Sequence, residues 1–282
     1  MRATSTEFDL ELPSGRIHAQ RFGSPDAPLA LALPGLSANL KGFDFIGERI
    51  AGERLQVVAM DLRGRGKSDA TPAGTYGWPS HARDAFAAAD ALGARRFSIL
   101  GQSMGGLVAM AAAEQDGARL ERIVLLDIAG APDESSLVPI SMAVNRLGTV
   151  YPSIEFYVET VKKIGLIDPW SEYWDRYFLY ELVPVEGGVR ARSNREAVLE
   201  DSEYGAHHDI YPYWSRLTMP VLLLYARREI MAGMGHIVNA VDHERFPKVV
   251  PTATVVDVDA NHYTVNTSEA SVAAIRKFFG LD

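Results

Sequence analysis

Residues 96–110 read RFSILGQSMGGLVAM: an apolar run, a serine set among glycines, then a second apolar run. Glycine inside a buried element costs roughly 0.5–1 kcal/mol, so Gly101, Gly105 and Gly106 around Ser103 require a backbone reason. RFSIL reads as a strand and Met104–Gln115 as a helix. A serine on such a strand-to-helix turn points its hydroxyl away from the sheet, and flanking glycines keep the crowded turn free of side chains. The helix start adds partial positive charge and free N–H groups that favour a developing oxyanion. G-x-S-x-G alone arises by chance in a glycine-rich chain, and a purely structural turn is the bland alternative. Its placement between strand and helix makes Ser103 the candidate nucleophile.

Outward from this junction the alternation repeats. FDLEL (Phe8–Leu12) and RIHAQRF (Arg16–Phe22), separated by PSG, read as an antiparallel hairpin. LALAL (Leu29–Leu33) and QVVAM (Gln56–Met60) are fully apolar runs of the kind buried in parallel sheets, with a crossover helix expected over Lys41–Glu53. A further helix is expected over Ser80–Leu92, with Ser80 as its N-cap and Gly93 at its stop. ERIVLLD, MPVLLLYA (Met219–Ala226) and TATVVDVD (Thr252–Asp259) continue the strands, and SEASVAAIRKFF (Ser268–Phe279) closes the chain as a helix. Repeated strand–helix–strand units predict an α/β architecture with a mostly parallel sheet. Residues 137–204 differ: aromatic and charged residues fall at helical spacing and no convincing buried strand is visible. The expected division is a core of residues 1–130 and 216–282 with a helical cap at 131–215.

Composition narrows the chemistry. The 282 residues carry a formal net charge of −8 with scattered basic residues, which argues against a nucleic-acid footprint. The absence of cysteine removes thiol nucleophiles, disulfides and thiolate metal sites. No apolar stretch approaches the roughly 18 residues of a membrane span, and the N-terminus lacks an apolar leader core, so a cytoplasmic enzyme is expected. The pair His207 and His208 before Asp209 has no H-x-x-x-H partner spacing and does not predict a metal. RGRGKSD (63–69) lacks the glycine spacing of a phosphate loop.

Taken together, LALPGLS, MDLRGRGKSD, GQSMGG, the helical insert and DANHYTVN resemble the α/β-hydrolase superfamily, in particular its capped esterase, lactonase and carbon–carbon hydrolase branch. The resemblance runs across essentially the whole chain and is weakest in the cap. It implies an eight-stranded, mostly parallel sheet with helices on both faces, a Ser–acid–His triad, and catalysis without cofactor or metal. His262, in the loop between the last strand and the closing helix, matches the family's base, with Asn261 where glycine is usual. For the acid, Glu229 in ARRE falls where the family's aspartate follows its strand, and Asp127 at the end of ERIVLLD is the alternative; Glu229 is preferred. In LPGLS, Pro34 stands where the family often has histidine, and the Leu36 and Met104 N–H groups are expected to form the oxyanion hole. The loop with Asp61, Arg63 and Arg65 is expected to be architectural.

The expected activity is hydrolysis of a carboxylic ester or lactone of a small organic molecule. Carbon–carbon hydrolysis of a vinylogous diketone acid and a non-catalytic ligand-binding role are the alternatives. A serine at the nucleophile position argues against the family's dehalogenases, which use aspartate. The expected partner is a small-molecule substrate, with neither nucleic acid nor membrane; a homo-oligomer is compatible with the sequence. In the cap, Trp170, Tyr173, Trp174, Tyr177 and Tyr180 are candidates for the substrate entrance. Arg146, Lys162 and Arg176 are candidate partners for a substrate carboxylate, although a solvated surface is the commoner fate of such residues.

Overall fold

The structure, a computed structural model, describes residues 3–282. The chain runs β1 (Ser5–Leu12), β2 (Gly15–Phe22), β3 (Leu29–Leu33), α1 (Asp44–Ile50), β4 (Gln56–Met60), α2 (Trp78–Ala91), β5 (Phe97–Gln102), α3 (Met104–Asp116) and β6 (Leu120–Leu126). An insertion follows, with α4 (Leu137–Asn145), α5 (Ile154–Ile164), α6 (Glu172–Glu181), β7 (Leu182–Val185), β8 (Gly188–Ala191) and α7 (Arg195–His207). The chain returns through β9 (Val221–Ala226), α8 (Ala240–Val249), β10 (Ala253–Val258) and α9 (Glu269–Phe279).

Eight strands form one sheet in the order β1-β2-β4-β3-β5-β6-β9-β10. The pairings of β1 with β2 and of β2 with β4 are antiparallel, and the rest are parallel. Alternation along each strand divides the core in two. Leu29, Leu31 and Leu33 pack with α2 and α3 on one face, whereas Ala30 and Ala32 pack with α1 and α9 on the other. The central runs are apolar at every position because both faces are covered.

Two local expectations change. Ser80 is not the N-cap of α2, which begins two residues earlier at Trp78 after Gly77, with Pro79 in its first turn. Proline is favoured there because its fixed φ suits the helix and its missing N–H has no intrahelical acceptor to lose. The insertion is also not wholly helical: β7 and β8 pair antiparallel across Glu186 and Gly187. Two glycines make this turn, with φ of +83° at Gly187 and +147° at Gly188.

The insertion has its own small core, formed by Tyr157, Val161, Trp174, Tyr177, Phe178 and Val189 among others. It is pinned to the sheet domain by buried charge. Asp201 on α7 meets the Arg65 guanidinium at 2.6 Å and His81 Nε2 at 2.8 Å, all fully buried. Its second oxygen accepts the Gly77 N–H at 2.6 Å. Burial alone would raise the Asp201 pKa, but His81, Arg65 and the Gly77 amide outweigh it and lower the value from 3.8 to about 2. The loop after β4 is architectural here, as expected: Arg63 is bidentate to Asp84 at 2.6 and 2.7 Å, and Asp61 accepts the Leu40 and Lys67 N–H groups at 2.9 Å. Among the described residues no helix is long and apolar enough to cross a membrane.

Candidate active site

Ser103 sits between β5 and α3 with φ +52° and ψ −123°. A positive φ on a non-glycine residue is a strained conformation that persists only when the surroundings enforce it. Here the surroundings are backbone. A Cβ on Gly101 would overlap the Gly105 carbonyl, one on Gly105 the Leu33 carbonyl oxygen, and one on Gly106 the Ile128 side chain. The three glycines let β5, α3 and the loop after β3 approach one another closely enough to hold the serine at the tip. A Cβ on Gly35 would stand 3.1 Å from that of Ser103, so the loop carrying Leu36 packs against the serine. Among the described residues neither the Leu36 nor the Met104 N–H donates a hydrogen bond, and both residues line the same cavity as Ser103. Their amides are available to an oxyanion.

His262 lies in the loop after β10, 7% exposed, and its Nδ1 is 2.8 Å from Asp127 Oδ2. Asp127, 2% exposed, follows β6 directly and also has a positive φ, +50°. Its other oxygen accepts the Ala226 N–H at 3.0 Å. With a carboxylate on Nδ1, that nitrogen carries the imidazole proton and Nε2 presents its lone pair. The Nε2 atom faces Gln102 Nε2 at 3.1 Å, an amide that can donate to it.

The carboxylate on His262 is therefore Asp127 and not Glu229, the residue preferred from sequence. Glu229 is exposed, and its Oε2 accepts the Gly233 N–H at 2.7 Å within its own loop. The reason is geometric. β6 and β9 are neighbours, so a residue at the end of either can reach the histidine loop, and the left-handed backbone of Asp127 turns its side chain that way. Beyond β9 the chain stays bound to the β10 end, with Arg227 N–H on Val258 O and Arg228 N–H on Ala260 O, both at 2.9 Å. Glu229 then falls on the outside. Gln102 is the residue that sequence reading missed. Its signal was position alone, immediately before the serine.

These groups open onto a cavity of about 1090 Å³ between the sheet and the insertion. The sheet domain contributes Gly35, Leu36, Gln102, Ser103, Met104 and His262 to its floor, and the insertion contributes Arg146, Tyr157, Trp174, Tyr177 and Phe178 to its wall. Of the aromatic candidates for the entrance, Trp174 and Tyr177 line it. Tyr173 and Tyr180 turn to the sheet domain, donating to Glu48 and Asp61. Of the other histidines, His18 bridges Glu7 and Asp9, His81 is on Asp201, His236 is on the Arg227 carbonyl and His243 is on Asp257, while His207 and His208 border the cavity with Nδ1 on the backbone carbonyls of Glu203 and Tyr204. An activatable hydroxyl, an imidazole oriented by a buried carboxylate, and two unengaged backbone amides form a constellation suited to attack on a carbonyl.

The family model of the alpha/beta hydrolase fold matches residues 31–267, and the chain belongs to this family of hydrolases. Among known proteins it is 27% identical over 247 residues to the N-formylmaleamate deformylase of Pseudomonas putida, covering 86% of this chain and 84% of that one. It superposes on the crystal structure of E-2-(acetamidomethylene)succinate hydrolase with a TM-score of 0.86 at 21% identity, covering 98% of this chain and 100% of that one. An alpha/beta hydrolase from Novosphingobium aromaticivorans gives a TM-score of 0.81 at 24% identity, with 99% and 98% covered. These two structures share the fold.

Proposed function

We propose that the chain is a serine hydrolase that cleaves a carboxylic ester or lactone of a small molecule, with Ser103 as nucleophile, His262 as base and Asp127 as the triad acid. The observation that carries this reading is the strained Ser103 on the floor of the cavity that also exposes His262, already paired to a buried carboxylate. Substrate binding displaces the Gln102 amide from His262 Nε2. That nitrogen then takes the Ser103 proton as Oγ bonds to the carbonyl carbon. The Leu36 and Met104 amides hold the resulting oxyanion, and Asp127 stabilises the imidazolium. His262 returns the proton to the leaving oxygen, and the acyl-enzyme is opened by a water that His262 activates. The insertion forms the cap that closes the cavity.

A second reading, amide cleavage by the same groups, is supported by the likeness to a deformylase across most of the chain. The reaction differs only in the leaving atom, a nitrogen that must be protonated as it departs. The test is pH-stat turnover of a panel of simple esters, small and large lactones, and formamides, with Ser103→Ala as the blank. Turnover of esters or lactones that vanishes in Ser103→Ala is the expected result. Ser103-dependent turnover confined to formamides would replace the ester reading with the second one. Hydrolysis unaffected by Ser103→Ala would overturn both.

A further inference from the structure

One arginine, Arg146, lines the cavity, and the way it is held bears on what the site accepts. Arg146 has five N–H donors, and each has an acceptor within the protein. Nε faces the Tyr157 hydroxyl at 3.1 Å; Nη1 reaches Ser37 Oγ at 3.3 Å and the Ala143 carbonyl; Nη2 reaches the Ser37 carbonyl at 3.5 Å and Glu181 Oε1. Glu181 is 2% exposed, and its other oxygen accepts from the Tyr157 hydroxyl at 2.9 Å. The guanidinium is thus matched in charge and saturated in hydrogen bonds before any ligand arrives.

The other two cations that sequence offered for a substrate carboxylate are committed as well. Arg176 meets Glu48 at 2.8 Å and Asp44 at 3.6 Å, and Lys162 stands 3.9 Å from Asp175 over the Trp170 ring. Neither lines the cavity. Of the carboxylates along the wall, Asp201 is paired to Arg65 and His81. His207, His208 and Asp209 are exposed at the rim. What remains inside is apolar and aromatic surface with neutral donors. The Tyr177 and Tyr263 hydroxyls have no hydrogen-bond partner among the described residues and both residues line the cavity.

Resting on the serine-hydrolase reading above, we propose that Glu181 sets specificity by neutralising Arg146, so that the site takes uncharged, largely apolar acyl groups and rejects acyl groups bearing a carboxylate. A carboxylate brought to this wall would lose its water and find no free donor on Arg146, whose charge the buried Glu181 already matches. Arg146 keeps its proton throughout: although burial works against the charge, Glu181 holds the guanidinium pKa well above its ordinary value.

The test uses two matched series of boronic acids, alkyl and ω-carboxyalkyl, from propyl to octyl, with binding measured by calorimetry. Ser103 Oγ adds to boron, forming a B–O bond as the Oγ proton passes to His262, so no turnover is needed. The wild-type protein is expected to bind the alkyl series more tightly by about 30-fold or more, the scale of an unpaired charge at a buried contact. Glu181→Gln is expected to narrow or reverse that preference by at least about 10-fold, because it leaves Arg146 unmatched. The double variant Arg146→Gln with Glu181→Gln removes both charges and should keep the alkyl preference. Equal or tighter binding of the carboxyalkyl series by the wild type overturns the proposal, even if neither variant folds. So does a folded Glu181→Gln protein with unchanged preference. Failure of the underlying reading has a different signature: boronates of both series binding Ser103→Ala as well as they bind the wild type.

Discussion

On the sheet side of the cavity the functional groups are fixed by backbone. Ser103 and Asp127 both have positive φ, three glycines permit the close approaches around Ser103, and the Leu36 and Met104 amides belong to the main chain. On the insertion side the polar groups are held largely by side-chain contacts: Arg146, Tyr157 and Glu181 bond one another, joining α4's end, α5 and α6, and Arg146 also reaches Ser37 in the loop after β3. The first kind of wall is set by the main chain. The second is set by side chains and can be altered one substitution at a time. On the proposed reading, reaction chemistry belongs to the first wall and selectivity to the second.

Substitutions that sharpen this contrast have graded effects. The largest is expected from Asp127→Asn, which keeps the shape and loses the anion that fixes the His262 tautomer. A fall in kcat of about 10⁴ is expected on any ester found in the panel, measured by steady-state kinetics. Asp201→Asn comes next, acting on the seam between the two walls. Removing one member of a buried charge pair costs about 3–5 kcal/mol, read as a lowered denaturant midpoint at neutral pH. Its pH dependence has a definite sign. The folded pKa of about 2 lies below the ordinary 3.8, so the unfolded chain binds the proton more tightly. The Asp201 contribution is complete above pH 4 and is lost as pH falls from about 4 through about 2. Wild type and Asp201→Asn should therefore converge in stability across that window and differ by a constant amount above it.

Within the second wall, Tyr157→Phe removes a donor to Glu181 and an acceptor for Arg146. A loss of about 1.5–3 kcal/mol is expected for hydrogen bonds to charged groups, measured by chemical denaturation, with Ser103 reactivity retained. Glu229→Gln should do least, within about 0.5 kcal/mol as for an ordinary surface position, and with kcat unchanged. A large loss of kcat there would break the assignment of Asp127.

The different legibility of the two walls in the sequence follows from how each is built. Backbone crowding demands glycine, so Gly101, Gly105 and Gly106 announced the turn that holds Ser103, and the apolar runs announced the strands flanking it. His262 was legible from its place between the last strand and the closing helix. Its acid was not, because Asp127 and Glu229 follow adjacent strands and the choice depends on a φ of +50° that an aspartate does not advertise. The hairpin of β7 and β8 was hidden by its short, half-exposed strands, whose pattern LVPVEGGVRA shows turn residues more plainly than alternation. Arg146 was visible as a basic residue in the insertion, but nothing in its neighbourhood along the chain pointed to Glu181, thirty-five residues away.

The most direct measurement on the triad is covalent labelling by a fluorophosphonate, with the modified peptide identified by mass spectrometry and the labelling rate compared among wild type, Asp127→Asn and Glu229→Gln. A single adduct on the peptide containing Ser103 is expected, formed at the wild-type rate in Glu229→Gln and slowed by about three orders of magnitude or more in Asp127→Asn. An adduct elsewhere, or slow labelling in Glu229→Gln with normal labelling in Asp127→Asn, would contradict the assignment of Ser103, His262 and Asp127 as one catalytic unit.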